Sequence, residues 1–468
     1  MTEPRSRLVP ALIYAALSTA IVSSLGMLLV PSISLEMAVP VSTAQWMLTV
    51  NLLAGAIATP VMGRLSDGPH KKKLLLVALV VILAGSIIAA LAPNFTVFLI
   101  GRALQGLTYG IVPVTIALAR RYVAADKVHS AISSLSVTVA SGIGIGYPLT
   151  GLIAGISDFR FAFWFAAAFV LTAIVVVVRV IPDGPDDRAQ RVPFDYAGTS
   201  LIGLGLGALL LGISEGPTWG WSSPWTIGIL VVAAVLLMLW VRAELRTAHP
   251  LINLRVFRSG DVLLANGTAI GLGAALYIGL SVSSLVAQAP ASTGYGMALP
   301  VFWAGFVMFP LSVGSLLANR LVRRLARRIG LAMLLPIGSG LMAVAGTLLW
   351  LAHTQLREIL VGMLVFGLGL GASYAAMPAL IARSVATAEL GSSVSFNQVL
   401  RTVGSSLGTA VSAAVIAANT APDLHPTDVG ISMTFQIGAM ICLAVCAALV
   451  AHAVVAKIRS ATRLTPSP

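Results

Sequence analysis

Arg102 and Arg401 each fall inside a long apolar run of this 468-residue chain. A guanidinium in such surroundings needs hydrogen-bond acceptors or an anion, which makes a buried arginine a functional group by default. It stays protonated, so it can hold a carbonyl or an anion but cannot itself release a proton. The 16 acids fall between the apolar runs or at their ends. Glu36 and Glu215 lie closest to an apolar interior, and partial burial there would favour their protonated form. Arg102, Glu215 and Glu36 are therefore the candidate groups for binding a proton or responding to one. Seven uncharged polar residues, Asn51, Gln105, Tyr109, Gln288, Tyr374, Asn397 and Gln398, together with Arg401, are candidates for a polar cavity wall. Each is equally readable as a hydrogen-bonding link between helices.

The missing acids bear on substrate charge. Recognition of a lipophilic cation ordinarily needs a buried carboxylate or an aromatic cage. A cavity holding only arginines suits neutral or anionic amphiphiles better. The six histidines are scattered without metal-ligand spacing. No Gly-x-x-x-x-Gly-Lys-Ser/Thr phosphate loop is present. Neither an enzyme nor a cofactor nor a bound metal is expected. Cys442 and Cys446, four apart in one apolar run, read as packing residues rather than a disulfide.

The elements that must position these groups follow from composition. Hydrophobic residues make up 58% of the chain and charged ones 10%. A soluble chain is about one-quarter charged, so a soluble enzyme, a disulfide scaffold and a nucleic-acid binder are disfavoured. Fourteen runs are long and apolar enough to span a bilayer: 8–30, 43–63, 74–92, 95–119, 129–156, 160–181, 196–214, 225–241, 262–287, 297–319, 331–352, 358–382, 391–419 and 430–456. The first follows a short basic segment and is too long for a signal-peptide core, so it reads as a retained anchor.

With the N-terminus inside and the runs alternating, 25 of the 29 Lys and Arg residues fall on the inner side. The basic excess is thus a topology signal. It places the chain in a plasma membrane, as in a bacterial inner membrane, with both termini cytoplasmic and no nucleic-acid partner. Trp46, Trp219, Trp221, Trp225 and Trp350 fall at outer ends, where indoles favour the interface.

Two regions echo each other. Gly101, Gly106 and Gly110 in the fourth run have the spacing of Gly362, Gly367 and Gly371 in the twelfth. The run after each carries a glycine pair four apart, Gly142 and Gly146, then Gly404 and Gly408. The expected organisation is a six-helix bundle over 1–182, linker segments with two inserted spans over 183–260, a second bundle over 261–457 and a tail over 458–468. Repeated halves suit rocking about a central site.

The segment Gly63-Arg64-Leu65-Ser66-Asp67-Gly68-Pro69-His70-Lys71-Lys72-Lys73 resembles the loop motif of the major facilitator superfamily. Arg102 to Leu107 looks like that family's fourth-helix motif, and Gly142 to Gly151, with Gly146 and Pro148, like its fifth-helix antiporter motif. Glu215 to Trp221 and Asn397 to Gly404 resemble segments of the fourteen-helix drug:proton antiporter branch. The resemblance implies an all-α fold of two six-helix bundles plus two inserted helices. It also implies a monomeric, proton-driven multidrug efflux antiporter conferring antibiotic resistance. A dedicated exporter of one metabolite, lipid or antibiotic is the alternative. Gly63, Arg64, Asp67 and Lys71 would form a latch holding the outward-facing state, in which Asp67 accepts from a helix N-terminus and the lysines meet acids or lipid phosphates. The sequence departs from the pattern at Gly68, His70 and Tyr147. It also has no acid in the stretch from Ile21 to Pro31, where many relatives of this branch carry an aspartate.

Overall fold

The computed structural model describes residues 7–39, 41–44, 46–156, 158–184, 195–247, 250–252, 254–255, 259–331, 333–386, 389–420 and 425–462. A backbone in hydrocarbon must satisfy its own polar groups, and the apolar runs do so as helices. Among the described residues thirteen helices are long and apolar enough to cross a membrane, and α1 (Leu8–Ser24) is a fourteenth apolar helix of 17 residues.

The first half continues with α2 (Val30–Glu36), α3 (Val41–Ala44), α4 (Trp46–Asp67) and α5 (Lys71–Leu91). It ends with α6 (Phe95–Gln105), α7 (Thr108–Tyr122), α8 (Ala125–Ile156) and α9 (Arg160–Val180). Next come α10 (Tyr196–Trp219) and α11 (Pro224–Arg246). The second half holds α12 (Gly260–Gln288), α13 (Val301–Phe306), α14 (Phe309–Ile329), α15 (Leu334–Leu351), α16 (Leu356–Ser384), α17 (Leu390–Ala418) and α18 (Asp428–Thr462).

Three runs expected to be single helices are broken. The first passes through a 3₁₀ turn at Met27–Leu29 before α2, the fourth divides into α6 and α7, and the tenth into α13 and α14. A proline lies two to six residues beyond each break, at Pro31, Pro113 and Pro310. Proline removes one backbone N–H and crowds the carbonyl four residues back. For Pro310 that carbonyl is Phe306, the last residue of α13. Gly106 and Leu107 form tight turn bonds to Ala103 and Leu104, which joins α6 to α7.

Helices α1 and α4–α9 pack on one another, as do α12–α18. The bundles meet where α4 lies against α17 and where α8 lies against α13, α14 and α16. Ser312 Oγ donates to the Ser141 carbonyl at 2.6 Å across the second contact. The glycine echo is structural. Gly142 and Gly146 of α8 abut α1 near Leu17 and Ile21, while Gly404 and Gly408 of α17 abut the Ile270 and Ala274 carbonyls of α12. Likewise Gly106 meets the Asn51 carbonyl of α4, and Gly367 the Leu311 carbonyl of α14. A Cβ at Gly106, Gly367, Gly404 or Gly408 would collide with backbone, and one at Gly142 or Gly146 with the side chain of Ala20 or Ser24, so helix spacing in both halves depends on the same small residues.

The α10–α11 hairpin turns at Gly220, whose φ of +87° suits glycine. Helix α10 rests on α4 and α17, and α11 rests mainly on α10. Val231, Val232, Val235, Met238 and Leu239 of α11 are exposed, as an outer, lipid-facing helix requires. Trp219, Trp221 and Trp225 are exposed together at the hairpin tip.

Candidate functional site: a central cavity and the contact that closes one end

A cavity of about 620 Å³ lies between the bundles, within the size range of small-molecule sites. It reaches Thr218 of α10 and Ala417 of α17, near the ends of those helices remote from the basic loops. Of the polar candidates, Asn51, Tyr109, Tyr374, Gln398 and Arg401 line it, and so does Arg102. Among the described residues that line it there is no Asp or Glu.

Arg102 is fully buried. Helix α6 ends three residues beyond it at Gln105, whose Oε1 accepts from Arg102 Nη1 at 2.6 Å. Gln105 Nε2 donates onward to Ser86 Oγ of α5 at 2.8 Å. Arg102 Nε donates to the Met47 carbonyl of α4 at 3.3 Å, and the guanidinium lies 5.7 Å from the Phe163 ring centre. Asn51 Nδ2 donates to the Arg102 carbonyl at 3.0 Å. Arg102 therefore ties α4, α5 and α6 together at the cavity wall.

Arg401 is also buried. Its Nη2 donates to Gln398 Oε1 one turn earlier on α17, and its guanidinium lies 4.4 Å from the Tyr374 ring centre on α16. Each arginine is thus held by a glutamine three residues away and by an aromatic face, without a carboxylate. Arg102 Nη2 and Arg401 Nε have no hydrogen-bond partner among the described residues.

Three of the predicted wall residues lie off the cavity. Gln105 is consumed by Arg102 and Ser86 inside the first bundle. Asn397 Nδ2 donates to the Ala265 carbonyl and to Asn266 Oδ1, both at 3.0 Å, and joins α17 to α12. Gln288 bonds back to Ser284 on its own helix. Conversely, Tyr147 and Tyr277 line the cavity although polarity alone did not single them out. Tyr277 shares a hydrogen bond with Tyr109 across the bundle interface. Tyr147 was visible in the sequence as the residue inserted between Gly146 and Pro148.

The two glutamates considered for coupling lie apart. Glu215 is half-buried beside Ser214, Pro217 and Thr218, which line the cavity, but does not line it itself. Glu36 is exposed at the end of α2. Arg160 Nη1 lies 3.4 Å from Glu36 Oε2 and 3.1 Å from Asp158 Oδ2. Burial and a hydrogen bond with Asp158 push the Glu36 carboxyl above its ordinary pKa. Burial also pushes Asp158 up, but the Arg160 backbone N–H and guanidinium outweigh it and hold that carboxyl below its ordinary range.

The end of the molecule bearing the basic loops is closed by α4 and α17. Asp67 Oδ1 accepts from the Gly391 N–H at 2.6 Å and Oδ2 from the Ser392 N–H at 3.0 Å. These are first-turn donors of α17, so Asp67 caps a helix of the opposite bundle and meets its positive dipole end. Gly63 lies against Ser395 and Gly391, with no room for a Cβ at either glycine. Lys71 Nζ donates to the Gly68 carbonyl at 2.8 Å, and Lys72 Nζ pairs with Asp183 at 2.8 Å. Pro148 and Gly146 lie in α8, where Gly151 faces the Val301 and Phe302 carbonyls of α13.

Known proteins are similar to this chain in sequence and in architecture. The chain is 27% identical to an uncharacterized MFS-type transporter of Mycobacterium tuberculosis over 87% of its own length, and spans 58% of that relative. The multidrug resistance protein Stp of the same species is 28% identical over 85% of this chain and 73% of its own. The human organic anion transporter MFSD10 matches in structure with a TM-score of 0.67, at 15% identity, over 96% of this chain and 100% of that one. The family model described as Major Facilitator Superfamily matches residues 11–409, and the chain belongs to that superfamily.

Proposed function

We propose that this chain is a secondary active exporter of hydrophobic small molecules that works by alternating access and is driven by protons. The observation that carries the reading is the pairing of one cavity with one closed end. The cavity lies between two related bundles and reaches Thr218 and Ala417. The opposite, basic end is shut by Asp67 on the N-terminus of α17. If the basic end faces the cytoplasm, this is the outward-facing state, and breaking the Asp67 contact is the step that exposes the cavity inward. The multidrug-resistance relatives support efflux as the direction.

Glu215 is our candidate for the proton-binding group. It stands next to the cavity mouth and makes no hydrogen bond among the described residues, whereas Glu36 is engaged by Arg160. The inserted hairpin contributes that glutamate while leaving α11 to the lipid. The test is transport by purified protein in proteoliposomes under an imposed pH gradient. The expected result is substrate movement opposite to the proton flux that collapses with a protonophore. Substrate movement indifferent to the gradient would remove proton drive.

A further inference from the structure

We propose that the cavity is an anion site: it takes amphiphiles carrying a permanent negative charge, such as an aryl sulfonate, with the acidic group held between Arg102 and Arg401. The proposal rests on the transport reading above and names its substrate class. Each bundle contributes one arginine to the wall, Arg102 from α6 and Arg401 from α17. Both are buried, and each keeps one guanidinium nitrogen without an acceptor among the described residues. The acceptors they do have, glutamine amides, the Met47 carbonyl and the Tyr374 hydroxyl, are neutral.

Two uncompensated guanidiniums in a low-dielectric wall are costly unless a counter-charge arrives. No described lining residue supplies it. A cation entering would add a third positive charge. An acidic group would instead complete both sets of donors with charge-assisted bonds. Leu48, Leu52, Val112, Leu276 and Leu285 offer the rest of the ligand an apolar surface. An anion gripped from both bundles would also link their movement, so occupancy and rocking become one event.

The experiment uses two probes with the same aromatic body and opposite fixed charge, 2-naphthalenesulfonate and 2-naphthyltrimethylammonium. Their uptake into proteoliposomes holding the full chain in both orientations is compared. We expect the sulfonate to be transported at least about tenfold faster at equal concentration, the size of one charge-assisted hydrogen bond. Arg401→Gln should erase that preference and Arg401→Lys should retain most of it. Should the glutamine variant fail to fold, the wild-type ratio and the lysine variant still decide. Equal or faster transport of the ammonium probe overturns the anion site and leaves the exporter reading standing. Movement of neither probe by monodisperse, helical protein overturns both.

Discussion

Asp67 Oδ1 accepts from the backbone N–H of Gly391 at 2.6 Å, although the two residues lie 324 positions apart and in opposite bundles. A carboxylate at a helix N-terminus gains from both hydrogen bonding and the helix dipole. Losing such a cap costs roughly 0.5–2 kcal/mol. Asp67→Ala should therefore shift the closed-to-open balance at the basic end by about 2- to 30-fold. Ser395→Cys, placed where α17 abuts Gly63, reports it through labelling by a membrane-impermeant maleimide. Labelling should speed up in the Asp67→Ala background, and an unchanged rate would show that the contact does not hold this end shut. Gly391→Ala should act in the same direction, because the added methyl meets Ser66 Oγ and Asp67 Oδ1.

Glu215 tests proton drive directly. Glu215→Gln keeps the side chain's size and polarity but cannot exchange a proton. Uptake driven by a pH gradient should fall to the level seen without a gradient, while substrate exchange at equal pH on both sides continues. Full gradient-driven uptake in the variant would move the proton-binding role elsewhere.

Much of the fold was legible because a bilayer allows few solutions. Apolar length, basic asymmetry and the glycine echo sufficed for two bundles and an inserted pair. Helix breaks were not, since Pro60, Pro148, Pro217 and Pro378 sit inside helices that continue while Pro310 stands just beyond a break. Their local sequence does not distinguish the two outcomes. For the cavity, residue type alone could not separate a wall from a link. Asn51 and Asn397 both donate to a backbone carbonyl of another helix, yet only Asn51 also faces the cavity. Glu244 is among the acids that lie between apolar runs or at their ends, but the fold buries it against Trp240 and Ile252, a tertiary fact with no local signal.

Glu36 and Asp158 share Arg160 but titrate in opposite senses. Glu36 has its folded-state pKa raised, so any stability it contributes is present below its ordinary carboxylate pKa and is lost as pH rises through the raised value. Asp158 has its pKa lowered, so its contribution is present above its ordinary value and is lost as pH falls through the lowered one. Both groups are partly exposed, so the effects are screened. Asp158→Asn should lower the melting temperature at neutral pH and converge on wild type in acid. Glu36→Gln should be neutral or stabilising at neutral pH. Melting curves from about pH 3 to about pH 8, spanning the carboxylate range, check both signs, and a loss for Glu36→Gln at neutral pH would contradict the assignment.

Trp240 fixes the inserted hairpin to α17. Its Nε1 donates to Glu244 Oε1 at 2.8 Å and its ring stacks on Phe396 of α17 at 5.9 Å. The contact joins Ile202 and Leu206 of α10 and Val399 of α17 in one buried cluster. Removing a buried aromatic side chain costs about 3–5 kcal/mol. Leaving one buried acceptor without its donor costs about 1–3 kcal/mol. Trp240→Phe should therefore lose the hydrogen bond alone and Trp240→Ala should also release the hairpin. A disulfide between Cys substitutions at Leu206 and Val403, on the facing sides of α10 and α17, measures docking. Crosslinking should persist in Trp240→Phe and fall in Trp240→Ala. Equal crosslinking in both would mean that α4, not this cluster, holds the hairpin in place.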